Sequence, residues 1–217
     1  MSRLPGVLAV GLCAVSGSLR AQEQGGFVIT RGMDTVAVEQ FTREDVELKG
    51  RLVRVAGKEA RERVRYRATL VDDQSAPLVD LSAWRADDPE DMPARQTARV
   101  IFRDDSVAVD DASRWSGALT RVLPTIRTAV PYLQLSTAFL EQATRRAAAA
   151  RGDSLAVPFF NLGGGQTVTG TVRHLSGDSA SVRIGSLEFR LRVDTAGRVL
   201  GGSVPSQGLV ITRSPAS

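Results

Sequence analysis

The chain has 217 residues, 28 of them Lys or Arg against 24 Asp or Glu, with one histidine and one cysteine. That inventory excludes a usual zinc site, and the near-balance of charge argues against a dedicated polyanion partner, so no nucleic acid and no metal cofactor are expected. Only Lys49 and Lys58 are lysines; the positive charge is almost all arginine.

The first residues read as a secretory leader. Arg3 supplies a short positive start, Leu4 to Val15 is an apolar run, and small residues follow. Cleavage is expected after Ala21, with Ser18 as the alternative, giving a signal peptide over 1–21 and a single β-rich domain over 22–217. Leu12 is larger than the residue that lipid attachment needs before Cys13. The expectation is therefore an exported protein, periplasmic or extracellular, that is not lipid-anchored. Losing Cys13 leaves no thiol, hence no disulfide and no thiolate ligand. No later run is long and apolar enough for a transmembrane helix.

From Gly25 onward the pattern alternates with period two. FVITR (Phe27–Arg31) and TVAVEQF (Thr35–Phe41) form a predicted hairpin about Gly32-Met33-Asp34. Strands follow at Val46–Ala56 and Ala60–Val71. In the second, Arg61, Arg63, Arg65 and Arg67 take one face and Val64, Tyr66, Ala68 and Leu70 the other. Further strands fall at Pro77–Arg85, Ala94–Phe102 and Ser106–Asp110, the first two separated by an acidic loop, Ala86–Pro93. Trp115, Leu119, Val122 and Ile126 have helical spacing, which predicts a short amphipathic helix ending near Leu123 because Pro124 follows.

The longest periodic element is the helix at Ser136–Ala150. Ser136 is a natural N-cap, Leu135 and Leu140 have the spacing of a hydrophobic staple, and Phe139, Ala143 and Ala147 line an apolar stripe. Glu141 stands four residues before Arg145, the favourable order for an ion pair, and Gly152 is the expected stop. Six strands follow, at Ser154–Phe160, Gln166–Leu175, Ser179–Ile184, Ser186–Val193, Arg198–Val204 and Gly208–Arg213, joined by short turns.

The fold class expected is mainly β: an antiparallel meander of about twelve strands, forming a strongly twisted sheet or partial barrel around one central α-helix at about 136–150. FVITR at 27–31 and LVITR at 209–213 nearly repeat at the two ends of the domain. The expectation is that they occupy equivalent edges or pair to close the barrel, which would remove exposed edges.

Catalytic chemistry is sparse. His174 is the lone histidine and lies in a strand beside its own turn, not at the convergence of separate elements that a triad requires. No G-x-S-x-G elbow is present, and the triglycine at 163–165 leads into a strand and not into a helix. Asp87, Asp88, Glu90 and Asp91 lack calcium-loop spacing and read as a solvated acidic loop. Any two buried acids could serve as a carboxylate pair for hydrolysis, and Glu39 and Glu188, each in a strand, are the candidates. Both are expected to look outward, Val36, Val38 and Phe41 being the more core-like residues around Glu39. A carboxylate-dependent hydrolase is accordingly the remote alternative.

The opening FVITRGMDTVAVEQF, the helix STAFLEQATRRA and the ending EFRLRVDTAGRVLGGSVPSQGLVITR resemble an uncharacterised β-rich region of secreted bacterial proteins, which in some of them precedes an α/β-hydrolase domain. A half-barrel with a helix on its concave side is similar to periplasmic lipoprotein-carrier folds, and that likeness implies an acyl chain as ligand. The functional expectation is an exported, non-catalytic domain without a cofactor, binding an apolar or lipid-like ligand between sheet and helix. The candidate ligand-binding residues are Phe139, Leu140, Phe159 and Phe160. A surface-acting accessory module for a secreted partner is the alternative.

Overall fold

The computed structural model describes residues 22–57, 59–175 and 177–215. The leader predicted over 1–21, with Cys13, lies outside the described residues.

The first half of the chain is a meander of eight strands: β1 (Glu23–Arg31), β2 (Asp34–Glu44), β3 (Glu47–Ala56), β4 (Glu59–Thr69), β5 (Leu78–Arg85), β6 (Gln96–Phe102), β7 (Ser106–Ser113) and β8 (Gly117–Pro124). After the short β9 (Val130–Tyr132) comes the helix α1 (Thr137–Ala150). The chain then resumes with β10 (Ser154–Asn161), β11 (Thr167–His174), β12 (Ser179–Ile184), β13 (Leu187–Val193), β14 (Val199–Val204) and β15 (Leu209–Ser214).

All fifteen strands form one sheet in the order 8-7-6-5-4-3-2-1-15-14-13-12-11-10-9. Neighbours are antiparallel except β9, which runs parallel to β10. The near-repeat does pair: Ile29 faces Ile211, with Phe27 opposite Arg213 and Arg31 opposite Leu209. This seam lies in the middle of the sheet and closes nothing. The free edges are β8 and β9, consecutive in the chain, so the sheet is an open curl. Side chains tie the two ends of the curl together. Thr167 Oγ1 donates to the Pro124 carbonyl at 3.1 Å, and the Phe102 and Phe160 rings meet edge-on at 5.5 Å.

The helix predicted around Trp115–Leu123 is instead β8, paired with β7 along its whole length. Its helical spacing encodes no burial, for Trp115, Leu119 and Val122 are 69, 59 and 62% exposed. Gly117 at φ +74° makes the turn into the strand, and Pro124 is tolerated because the strand is an edge.

The helix itself forms as read. Phe139 N–H donates to Ser136 Oγ at 3.4 Å, and Arg145 reaches Glu141 at 2.8 and 2.9 Å. Its C-terminus differs: Arg151 and not Gly152 takes the left-handed cap, at φ 52°. Its surroundings differ more. From Thr137 to Thr144 every residue is buried, Glu141, Gln142 and Thr144 included. The helix is enclosed by the curl and does not merely lie on it with one apolar stripe.

Strand registers arrange the inner face near the seam in rows. One row reads Ile211, Ile29, Ala37, Arg54, Glu62. The next is Arg213, Phe27, Glu39, Leu52, Val64, followed by Gly25, Phe41, Gly50, Tyr66 and then by Glu23, Arg43, Leu48, Ala68. Close approach accounts for Gly50 and Gly197 among the glycines. A Cβ at Gly50 would sit 2.3 Å from the Tyr66 hydroxyl, and one at Gly197, at φ +77°, would meet the Thr144 carbonyl at 2.5 Å. That second contact lets Thr144 Oγ1 donate to the Gly197 carbonyl at 2.6 Å, tying the β13–β14 turn to the helix.

The acidic loop between β5 and β6 is tied down by arginine. Asp88 accepts from the Arg85 N–H at 2.9 Å and from two Arg95 nitrogens at 2.6 Å each. The Arg95 guanidinium holds its carboxyl down at about 2, below the ordinary 3.8. A carboxyl lowered on folding contributes stability that is present above its unfolded value and lost as pH falls towards its folded one. Thermal melts of the wild type and Asp88→Asn should therefore differ above pH 3.8 and converge as pH approaches 2. A gap that stays constant across that window would refute the assignment.

Candidate functional site

Two polar assemblies fix the helix inside the curl, and a cleft with one apolar wall and one polar side opens beside its first turn. The first assembly is centred on Glu39. Its carboxylate, fully buried on β2, accepts from the Thr137 and Ala138 N–H groups at 2.8 and 3.0 Å, from the Tyr66 hydroxyl at 2.9 Å and from the Ser136 hydroxyl. A carboxylate at a helix N-terminus meets both the unpaired N–H groups and the positive end of the dipole. Burial nevertheless pushes its proton affinity up, against the pull of those four donors. The neighbouring Tyr66 hydroxyl is raised as well, by burial and by the carboxylate it faces. Glu39 thus points inward, contrary to expectation: Ala37, Glu39 and Phe41 share the buried parity of β2.

The second assembly surrounds Glu141, fully buried in mid-helix. It takes Arg145, the Arg213 Nη1 at 2.9 Å and the Val199 N–H at 2.9 Å, with Arg43 Nε at 3.7 Å. Glu23 bridges Arg145 at 2.6 Å and Arg213 at 2.5 Å. The Arg213 guanidinium also lies over the Phe27 and Phe41 rings, at 5.1 and 5.4 Å.

The cleft has a volume of about 510 Å³. Leu133, Leu135 and Leu140 line it from the helix side, and Ile29, Ile211 and Phe189 from the sheet. Tyr132 and Phe189 meet edge-on at 6.5 Å in its wall. Leu135, at the entry to the helix, holds φ 66°, a left-handed conformation unusual for a branched residue. The rim carries amide and guanidinium groups: Arg54, Gln134, Asn161 and Gln207.

Of the four residues expected to bind ligand, Leu140 lines this cleft. Phe139 is buried against Tyr66, ring centroids 4.9 Å apart, and Phe159 and Phe160 are buried on β10, Phe160 against Phe102. The three phenylalanines fill the core, while the cleft is walled by β1, β13 and β15, brought to the helix only by the sheet's curl. The local signal for the cleft is the staple read at Leu135 and Leu140, both of which line it.

The other candidates fall into place differently. Glu188 is half-buried on β13 and accepts from Ser181 Oγ at 3.1 Å, 
far from any pairing with Glu39 across the strand order. Among the described residues, no group of three or more His, Cys, Asp or Glu is placed to hold a metal ion. The arginine faces of β4 and β13 are separated by five strands. A groove of about 680 Å³ on the β2–β5 face includes Lys49, Arg51, Arg65 and Arg67, and each of these stands within 4.0 Å of Glu44, Glu47 or Glu90.

A single, mostly antiparallel sheet curled around one helix places the chain among β-barrel-like proteins. The fold is shared by the crystal structure of a DUF1089 family protein from Pseudomonas aeruginosa, 14% identical, with a TM-score of 0.55 over 91% of this chain and 98% of that one. It is also shared by a β-barrel-like protein of the domain of unknown function DUF1849 from Brucella abortus, 11% identical, with a TM-score of 0.55 over 90% and 96%. At these identities the likeness is one of fold. No protein-family model matches the sequence, and no curated protein matches it.

Proposed function

We propose that the protein is an exported, non-catalytic binding domain whose ligand is apolar and lies between the helix and the β13–β1 part of the sheet. The observation that carries this reading is the cleft of about 510 Å³ beside the first helical turn, within the size range of small-molecule sites, with Leu, Ile and Phe along one wall and hydroxyl and amide groups along the other. Export is supported by the leader-like composition of 1–21. Glu39 and Glu141, carboxylates with no exposure, are committed to holding the helix: Glu39 by four donors and Glu141 by arginines and a backbone N–H. That disposition favours a binding role over a hydrolytic one.

The test is uptake of N-phenyl-1-naphthylamine, whose fluorescence rises in apolar surroundings. Wild-type protein should take up the probe, and Leu187→Trp, which fills the cleft from a half-buried position on β13, should reduce uptake at least severalfold while the melting temperature holds. Leu135→Trp provides the same test from the helix side. No uptake by folded wild type, or uptake indifferent to both substitutions, would overturn the reading.

A further inference from the structure

Arg54 stands where its strand's pattern calls for an apolar residue. Leu48, Gly50 and Leu52 precede it on the inward parity of β3, and its cross-strand neighbour Ala37 is fully buried. An arginine on a core-facing position requires its charge to be used or matched. Among the described residues it is the only charged side chain lining the cleft. Its Nη1 meets Glu62, its Nη2 donates to the Gln134 carbonyl at 3.2 Å, and its Nε is buried with no hydrogen-bond partner among the described residues. Arg54 and Glu62 are 28 and 38% exposed, and Glu62, which pairs with the guanidinium from outside, does not line the cleft. The cleft therefore has an apolar wall of Leu, Ile and Phe, a neutral polar side and one cationic group. Burial raises the proton affinity of Tyr132 in the wall, and the Arg54 charge opposes that rise, so the field of Arg54 reaches into the cleft.

We propose that the cleft selects amphiphiles with one apolar chain and a single anionic head, and that Arg54 receives the head. The proposal rests on the apolar-cleft reading above and adds the charge of the ligand to it. A guanidinium suits a carboxylate or a phosphate monoester because its donors are fixed in a planar fork. The neutral amides of Gln134, Asn161 and Gln207 complete a polar rim without adding charge.

The test compares dodecanoate, 1-dodecanol and dodecyltrimethylammonium as competitors for bound N-phenyl-1-naphthylamine, using wild type, Arg54→Gln and Arg54→Lys. Dodecanoate should outcompete dodecanol by about tenfold in the wild type, the scale of a charge-assisted hydrogen bond. Arg54→Gln should erase that difference and leave dodecanol unchanged, while Arg54→Lys should keep most of it. Equal competition by dodecanoate and dodecanol, preference for the ammonium, or a preference that survives Arg54→Gln would overturn the proposal with the cleft reading intact. Competition by none of the three would overturn both. Should Arg54→Gln fail to fold, the wild-type preference must fall as sodium chloride rises, and a salt-independent preference would refute the charge assignment.

Discussion

Replacing Glu39 by alanine should lower the stability of the protein by about 3 kcal/mol, the largest loss expected from any single change at the helix entrance. Alanine leaves the N–H groups of Thr137 and Ala138 and the hydroxyls of Ser136 and Tyr66 without their acceptor in a fully buried place. Each orphaned donor costs on the order of 1–3 kcal/mol, and relief of the carboxylate's own desolvation offsets part of the sum. For a domain of this length the loss corresponds to a fall in melting temperature of roughly 10 °C. Urea unfolding of Glu39→Ala, read against the wild type, checks it, and a loss under about 1 kcal/mol would show that Glu39 does not hold the helix.

Glutamine at 39 should be far milder, about 1 kcal/mol. Its amide oxygen can take both backbone N–H groups, while its NH₂ meets two hydroxyls, which can turn to accept. The pH dependence separates the two states of the native side chain. Burial raises the Glu39 carboxyl above its ordinary 4.5, so the folded state holds the proton more tightly than the unfolded one. Its contribution is then fully present below 4.5 and is lost as pH rises through the raised value. Glu39→Gln cannot titrate and should lack that component of the stability profile.

Much of this architecture is legible in the chain. Period-two alternation locates most of the strands, and the capping serine, the Glu141–Arg145 pair and the stripe at Phe139, Ala143 and Ala147 locate the helix, because these signals are local. What is not legible depends on the curl. Glu39 reads as outward because Val36 and Val38 look apolar, yet Ala37 and Phe41 share its parity and face the helix. Only the helix N-terminus, about a hundred residues away in the chain, makes a buried carboxylate tolerable there. The same holds at Arg54, whose inward position is visible in the alternation of β3 but acquires meaning when the cleft is formed by β13 and β15. The segment from Trp115 to Ile126 fails in the opposite sense. Its apolar residues are exposed on an edge strand, and helical spacing without burial carries no structural information.

The second large effect is expected at Glu141. This carboxylate has no exposure and is the negative centre for Arg145, Arg213 and Arg43, with Glu23 also pairing with Arg145, Arg213 and Arg198. Glu141→Gln keeps the shape and the hydrogen bond to the Val199 N–H but removes the charge, leaving the buried Arg43 guanidinium without its carboxylate and Arg145 and Arg213 with Glu23 alone. Breaking a buried pair from one side costs about 3–5 kcal/mol, and that is the loss expected here. Arg43 is the informative partner. Burial lowers its proton affinity, its Nε and Nη1 have no hydrogen-bond partner among the described residues, and it stands 3.7 Å from Glu141. Arg43→Met should therefore cost little by itself and should recover about 1–2 kcal/mol when combined with Glu141→Gln, since it removes the cation the missing carboxylate leaves unmatched. The double-mutant cycle, measured by urea unfolding, should also keep its coupling at roughly 1 M salt, where exposed pairs are screened. A single-mutant loss under about 1 kcal/mol, or a coupling that vanishes with salt, would place the arginine cluster at the surface of the energetics and leave Glu39 as the sole anchor of the helix.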